Sequence, residues 1–508
     1  MKNAFPLNTY FEEMKSISSN DLMRGLLGHG LFSNVLPPVF TASAFYNHVI
    51  NSNPTYDNSG HDYVRYESIR NINVPRAIGI PLPFPYSKLC KRLEENWPKL
   101  IEHFKKYTSK NPYKVSKIHI RKMDDKDCLF EMNYEGEDDE TVDDADLLIG
   151  SKFLVNADIS NCFPSIYTHS IPWALAGKLN AKAANSNKWF QKIDKATRNI
   201  KNQETNGILI GPHSSNLIAE IVLVVVDEAL IKKDYKFIRH VDDYSCFCES
   251  YEKAQQFLID LSKLLKEFEL TLNHKKTRVS KLPIALSKHW VRKLSHYQFQ
   301  RMKNDDNSEF LNNREVEAFL DSSIELMADE NDNSAILNWA IKKISKERMS
   351  PNALKLFLDK IHHLVLIYPY LVRLLQEHVF DAFKVKPNHI QPISENLISE
   401  GLKSQQYEMV SYGIFFAIHN KFRLKLGGYL DEIIESQDCI ALTMAYLHQL
   451  NAGRSVVRFQ RKALELQTSD LEQFWIFIYE VLSAQDLSGD YRNLKNQNVT
   501  FFKTDYLK

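Results

Sequence analysis

Cysteine is scarce: six in 508 residues, at Cys90, Cys128, Cys162, Cys246, Cys248 and Cys439. Only Cys246 and Cys248 stand close, and their spacing fits neither a zinc-binding CxxC nor a disulfide framework, so a reduced, intracellular protein is the simplest reading. Excess charge of either sign is missing too. Lys plus Arg (64) nearly cancel Asp plus Glu (63), which excludes the global cationic field of a purely electrostatic nucleic-acid binder; any nucleic-acid site must be local. No long apolar run occurs: Ile221 to Val226 is bounded by Glu220 and Asp227 and is too short for a bilayer. The amino-terminal MKNAFPLNTYFEEMKS has neither the basic start nor the apolar centre of a signal peptide. The expectation is a cytoplasmic protein with no membrane partner.

What is present is ordinary for a globular chain, 44% apolar and 25% charged, which excludes a mainly disordered one. The length implies two to four domains, and few Gly (16) and Pro (18) beside many Leu, Ile, Lys and Glu favour helix. Residues 1–150 mix helices and short strands around the Pro-rich passage Ile80 to Pro85, which cannot be helix interior. The run from Ser87 to Tyr107 has Leu89, Leu93, Trp97, Leu100, Ile101 and Phe104 at helical spacing, and the acidic segment Glu135 to Asp146 reads as a solvated loop. Over 151–283 the texture changes to alternating strands and helices, with Phe153 to Ala157 strand-like and Phe237 to Phe247 resembling a hairpin. Over 284–508 almost no strand signal remains. Amphipathic helices succeed one another there, one starting at Ser350 and Pro351, another at a capping-box pattern from Ser469 to Glu472. Such helical pairs suggest an α-solenoid, although no strict sequence period is found.

Acidic pairs are common, so Asp242-Asp243 needs a reason to be preferred over Asp124-Asp125, Asp138-Asp139, Asp143-Asp144 and Asp305-Asp306. Context supplies it: Asp242 and Asp243 lie between two apolar strand-like stretches, where a tight turn on rigid strands can aim carboxylates at metal ions. Magnesium takes hard oxygen ligands, commonly one or two carboxylates plus substrate phosphates. A third carboxylate on a neighbouring strand would complete a two-metal site for phosphoryl transfer, and Asp158, at the end of the strand from Phe153, fits that role.

Four segments in order, Asp158-Ile-Ser-Asn-Cys-Phe163, Gly207-Ile-Leu-Ile-Gly211-Pro-His-Ser-Ser215, His240-Val-Asp-Asp243 and Leu272-Asn273-His-Lys-Lys276-Thr277, resemble the successive palm motifs of reverse transcriptases. The resemblance implies catalytic Asp158, Asp242 and Asp243 and a metal set of Asp158, Ile159, Asp242 and Asp243, holding two Mg2+ with Mn2+ as a substitute. It implies Phe163 as a steric gate favouring deoxynucleotides; a plain core residue is the other reading. Gly207 and Gly211 would admit the nucleotide beside Ser215, or serve as helix punctuation. Lys276 would lie near the phosphates, or be an ordinary exposed lysine. Arg65, Arg70 and Arg76 resemble the fingers that grip a triphosphate, with a surface role as the alternative for each. Two departures stand out: Ile210 where the family has Gln, and His240 where it has an aromatic residue.

With about 220 helix-rich residues after the palm and no recognisable RNase H, endonuclease or zinc module, the layout is similar to the abortive-infection (Abi) reverse transcriptases of the AbiK-like group. The fold this implies is α+β reverse-transcriptase-like fingers and palm, followed by an all-α helical-repeat (HEAT-like solenoid) domain. The function it implies is phage defence by a homo-oligomer, trimer or larger. Such a polymerase joins deoxynucleoside triphosphates into single-stranded DNA without a template and leaves the product attached to a protein hydroxyl. Tyr10 is a candidate priming residue if the amino-terminal arm is mobile; a packing aromatic is its other reading. A templated enzyme of retron or group II intron type, and a non-catalytic interaction protein with a relic palm, are the alternatives.

Overall fold

The first helix, α1 (Tyr10–Ser16), buries Tyr10 and Met14. Burial alternates from Val64 to Ser68 in β1 (Tyr63–Asn71), where Val64, Tyr66 and Ser68 are buried while Arg65 and Glu67 are exposed, as expected of a strand with one face on a core. It pairs antiparallel with β2 (Val74–Pro81), setting Arg65 opposite Gly79 and Ser68 opposite Arg76. Pro83 and Pro85 fall in the first turn of α2 (Pro83–Glu95), where no N–H is required of them. The helical run read from Ser87 to Tyr107 is two helices: α2 gives way at Asn96 to α3 (Trp97–Thr108), because Pro98 has no N–H with which to continue the ladder. The computed structural model describes residues 10–71, 74–117, 145–285, 288–305 and 307–507. Outside them lie Cys128, Asp306, the pairs Asp124-Asp125, Asp138-Asp139 and Asp143-Asp144, and all of the acidic segment except Ala145 and Asp146.

The central part is β3 (Phe153–Asp158), α4 (His213–Ile231), β4 (Lys236–His240), β5 (Asp243–Cys248), α5 (Tyr251–Glu267) and β6 (Arg278–Lys281). The strands form one antiparallel sheet in the order β4-β5-β3-β6. The hairpin read at Phe237 to Phe247 is β4 and β5; β6 gave no strand signal. Helix α4 is apolar on almost every side and accordingly buried, packed on α3 and α5.

Beyond β6 the described regular elements are helices, apart from a short ladder of Met302–Lys303 with Glu309–Phe310. The main helices are α6 (Asn313–Asp329), α7 (Ser334–Ile344), α8 (Pro351–Ile367), α9 (Pro387–Lys403), α10 (Tyr407–His419), α11 (Cys439–Asn451), α12 (Val457–Ser469) and α13 (Trp475–Val481). Helix α6 packs on α7 and α8, α9 on α10, α10 on α11, and α13 on both α11 and α12. Ser350 caps α8 as read, its hydroxyl accepting from the Ala353 N–H at 3.2 Å. The capping box at Ser469 is a misreading: Ser469 ends α12, and Glu472 is drawn to a distant partner, its carboxylate accepting from the Asp62 N–H and meeting His61 Nδ1, both at 2.6 Å. None of the described helices is long and apolar enough to cross a membrane.

Besides the Glu472 contact, two further joints among those that tie the helical part to the rest bear on the site. Arg373 donates to the Ser68 hydroxyl (2.7 Å) and the Ile69 carbonyl (2.6 Å) and pairs with Glu408 (2.9 Å), whose other oxygen accepts from the Ile69 N–H (2.6 Å). The far end of β1 is thereby clamped onto α10. At the second joint, the Thr41 N–H donates to the Phe501 carbonyl and the Lys503 N–H to the Val39 carbonyl, both at 2.8 Å. Phe501 lies in an aromatic cluster with Phe32, Phe45, Trp475 and Tyr479, so a single core runs through all three sequence segments.

Candidate active site

Antiparallel register sets Asp158, the last residue of β3, directly opposite Asp243, the first of β5. Cross-strand partners have Cβ atoms about 4.5–5.5 Å apart, and like charges so placed repel. His240 pairs with Asp243, leaving Val241 and Asp242 as the hairpin turn. Val241 has φ of 53°, a left-handed conformation that is costly for a β-branched residue. Its carbonyl accepts from Arg239 Nη1 at 2.9 Å, and the Asp242 carbonyl accepts from the Ile159 N–H at 3.1 Å. The strained turn is thus held from β4 on one side and from the chain after β3 on the other.

Burial, then the charges of Asp243 and Asp158, push Asp242 up to about 6. Asp243 is also raised, by desolvation and by Asp158, against the opposing charges of Lys276, Arg70 and Lys288. Lys276 Nζ meets Asp158 Oδ2 at 2.6 Å, and this hydrogen bond raises the ammonium's own pKa. Asn273 fixes Asp158 twice, its N–H donating to the Asp158 carbonyl at 2.7 Å and its Nδ2 to Oδ2 at 3.2 Å. Arg76 is lowered by burial and by Arg70, and raised by Asp242. The carboxylates therefore share their surroundings with Arg70, Arg76, Lys276 and Lys288. Arg65 is turned elsewhere: its guanidinium pairs with Asp62 at 3.0 Å and lies 4.8 Å over the Tyr63 ring.

The glycines join the neighbouring elements. A Cβ on Gly207 (φ 82°) would lie 2.5 Å from the Pro164 carbonyl oxygen, and one on Gly211 (φ 128°) would lie 3.0 Å from the Gly79 oxygen. The Gly79 N–H donates to the Ile210 carbonyl at 2.8 Å, so this segment docks the β1–β2 hairpin. Phe163 is half-buried, its carbonyl accepting from the Ile208 N–H at 2.9 Å. Ile159 is buried, and so is Ser215, whose hydroxyl has no partner among the described residues. Tyr10 requires a correction: the arm that carries it is folded in as α1, the ring is 3% exposed, and its hydroxyl donates to Glu220 at 2.8 Å. It is a buried packing aromatic, unavailable to an incoming nucleotide.

Sequence reasoning quoted Asn273 within a motif but gave it no role, and it did not single out Lys288 or the buried trio Glu220, Asp227 and Arg239 beneath the turn. The trio had a signal. Two acids seven residues apart in an apolar helix lie on one face, and buried charge demands a partner.

Among the described residues, no three His, Cys, Asp or Glu side chains are gathered so as to hold a metal ion. The donor chemistry nevertheless suits a hard divalent cation: Asp242 and Asp243 raise their own proton affinity through repulsion and burial, and neither has an ion-pair partner among the described residues.

A four-stranded antiparallel sheet with carboxylates at one hairpin and the end of the adjacent strand is the arrangement the sequence resemblance to a polymerase palm leads one to expect. Residues 86–311 match the family described as reverse transcriptase (RNA-dependent DNA polymerase), so this part of the chain is reverse-transcriptase-like. That family uses divalent metal ions. No curated protein matches the chain. Among solved structures, it is similar to apo telomerase from Candida tropicalis, at 10% identity and a TM-score of 0.32 over 86% of this chain and 73% of the other. It is also similar to the same telomerase truncated from its C-terminal domain, at 12% identity and a TM-score of 0.31; the match covers 47% of this chain and 55% of the other.

Proposed function

We propose that this chain is a phage-defence DNA polymerase of the abortive-infection kind. It adds deoxynucleotides by two-metal phosphoryl transfer, without a template and from a protein hydroxyl, as a homo-oligomer. The observation that carries the catalytic part is the cross-strand pair Asp158 and Asp243 with Asp242 at the adjoining turn. Asp158, Ile159, Asp242 and Asp243 would hold the ions. Magnesium, or manganese in its place, would supply activation of the attacking hydroxyl and stabilisation of the leaving pyrophosphate.

The chain's own groups do the rest. Arg70 and Arg76, on the hairpin and in the field of the carboxylates, grip the triphosphate oxygens, and Lys276 balances charge beside Asp158. Phe163 lies under the deoxyribose, and Gly211 and Ser215 flank the nucleotide. The abortive-infection reading draws its support from the layout: a helical region follows the palm and clamps the β1–β2 hairpin through Arg373 and Glu408. With Tyr10 buried, the priming hydroxyl belongs to another residue.

The test is incubation of purified protein with Mg2+ and labelled deoxynucleotides, with no template or primer, analysed on a denaturing protein gel before and after protease. Label that migrates with the protein and is lost in Asp242→Ala supports the proposal. Extension only of a primed RNA would make it a templated reverse transcriptase. Unimpaired phage defence by a folded Asp242→Ala variant would make the palm a relic.

A further inference from the structure

Arg239 is fully buried, and each of its five N–H groups has an acceptor. Nε donates to both Asp227 oxygens (3.0 and 2.9 Å), Nη1 to Glu220 Oε2 (3.1 Å) and the Val241 carbonyl (2.9 Å), and Nη2 to Glu220 Oε1 (3.1 Å) and Asp227 Oδ2 (2.6 Å). With no donor to spare, the guanidinium has one orientation, and that orientation holds the carbonyl of the residue before Asp242. One cation between two carboxylates leaves a buried negative charge, which in a low-dielectric setting needs further donors. Two phenols supply them: Tyr244 to Asp227 (3.2 Å) and Tyr10 to Glu220 (2.8 Å). Tyr244 belongs to the sheet itself. Tyr10 comes from α1, more than two hundred residues away in sequence, and its ring packs edge-on against Phe104 at 6.2 Å.

We infer that Arg239 is a positioning residue for the polymerase site, and that α1, through Tyr10 and Glu220, latches the strained turn that presents Asp242. This rests on reading Asp158, Asp242 and Asp243 as the metal site. The latch works through geometry. A lysine at 239 would keep the charge while lacking the fork that grips two carboxylates and a carbonyl together, and a phenylalanine at 10 would keep the ring while removing the donor.

The test uses the full chain with Arg239→Lys, Tyr10→Phe, Tyr244→Phe and Asp242→Asn variants, and three readouts. These are Mn2+ affinity from the electron paramagnetic resonance of free ion, hydrogen exchange of the β4–β5 turn in metal-free protein, and kcat and KM for deoxynucleotides. Residues that orient metal ligands commonly change metal affinity about 10–100-fold. That range is expected for Arg239→Lys, and a smaller loss, about 3–10-fold, for Tyr10→Phe. Both should exchange faster at the turn, with a lower kcat and an unchanged KM. Should Arg239→Lys fail to fold, the two phenol variants decide. A folded Tyr10→Phe protein with wild-type Mn2+ affinity and wild-type turn exchange overturns the latch. Mn2+ binding that survives Asp242→Asn defeats the metal-site reading instead, and turn exchange still judges the latch.

Discussion

Asp242→Asn should stabilise the metal-free protein while destroying its activity. Asp242 is held up to about 6 by burial and by the charges of Asp243 and Asp158, against about 3.9 for an unfolded aspartate. The sign follows from proton linkage. Below about pH 4 the carboxyl is neutral in both states and contributes nothing. Between about pH 4 and 6 the unfolded chain ionises first, so the folded state holds the extra proton and loses stability as pH rises; above about 6 the penalty is complete. Two pKa units correspond to about 3 kcal/mol at most. Asp242 remains partly open to solvent, and screening reduces this to about 1–2 kcal/mol. Thermal unfolding of metal-free wild type and Asp242→Asn across pH 4.5 to 8 should show curves that nearly coincide at the acid end. The variant should lead by about 1–4 °C at pH 7 and above. Added Mg2+ should raise the wild type selectively and close that gap. A pH-independent difference, or a wild type more stable than the variant at pH 7.5 without metal, would refute the assignment of uncompensated charge to this turn.

The arginines should separate in steady-state kinetics: Arg76→Ala and Arg70→Ala raise the KM for deoxynucleotides about tenfold or more, a loss of roughly 1.4 kcal/mol or greater. Arg65→Ala, whose fork is spent on Asp62, should change KM less than about twofold. Gly211→Ala puts a methyl 3.0 Å from the Gly79 oxygen at φ of 128°, and should cost about 1–3 kcal/mol in urea unfolding. The same substitution should raise nucleotide KM, because the β1–β2 hairpin that carries the arginines shifts with it.

Local features were the readable ones. The apolar, strand-like runs of β4 and β5 and the cap at Ser350 are written in a few neighbouring residues, and the order of motifs marked the stretch that matches the reverse transcriptase family. What stayed hidden depends on residues far apart in sequence. Strand β6, Arg278-Val-Ser-Lys281, has almost no apolar pattern because its place comes from pairing with β3. Glu220 and Asp227 were noticed only as interruptions of an apolar run; their counter-charge, Arg239, lies on the next strand and is known only once the helix packs. Tyr10 could be read as a priming hydroxyl or as a packing aromatic, and its partner on α4, Glu220, is invisible from the sequence around it. Glu472 fitted a capping box by pattern, yet its carboxylate was already committed to His61 and Asp62. Arg65, Arg70 and Arg76 were indistinguishable until the hairpin register turned the first towards Asp62 and left the others near the carboxylates.

The joint between residues 39–41 and 501–503 has a bearing on how the protein is made. At a ribosomal pace of about 5–20 residues per second, the amino-terminal aromatics Phe32, Phe40 and Phe45 wait roughly half a minute or more before Phe501 and Phe502 emerge to cover them. During that interval the sheet bearing the aspartates has already been synthesised, while part of the core that braces it is missing. A chain interrupted within the helical region would keep that aromatic surface exposed, a target for chaperones and proteases.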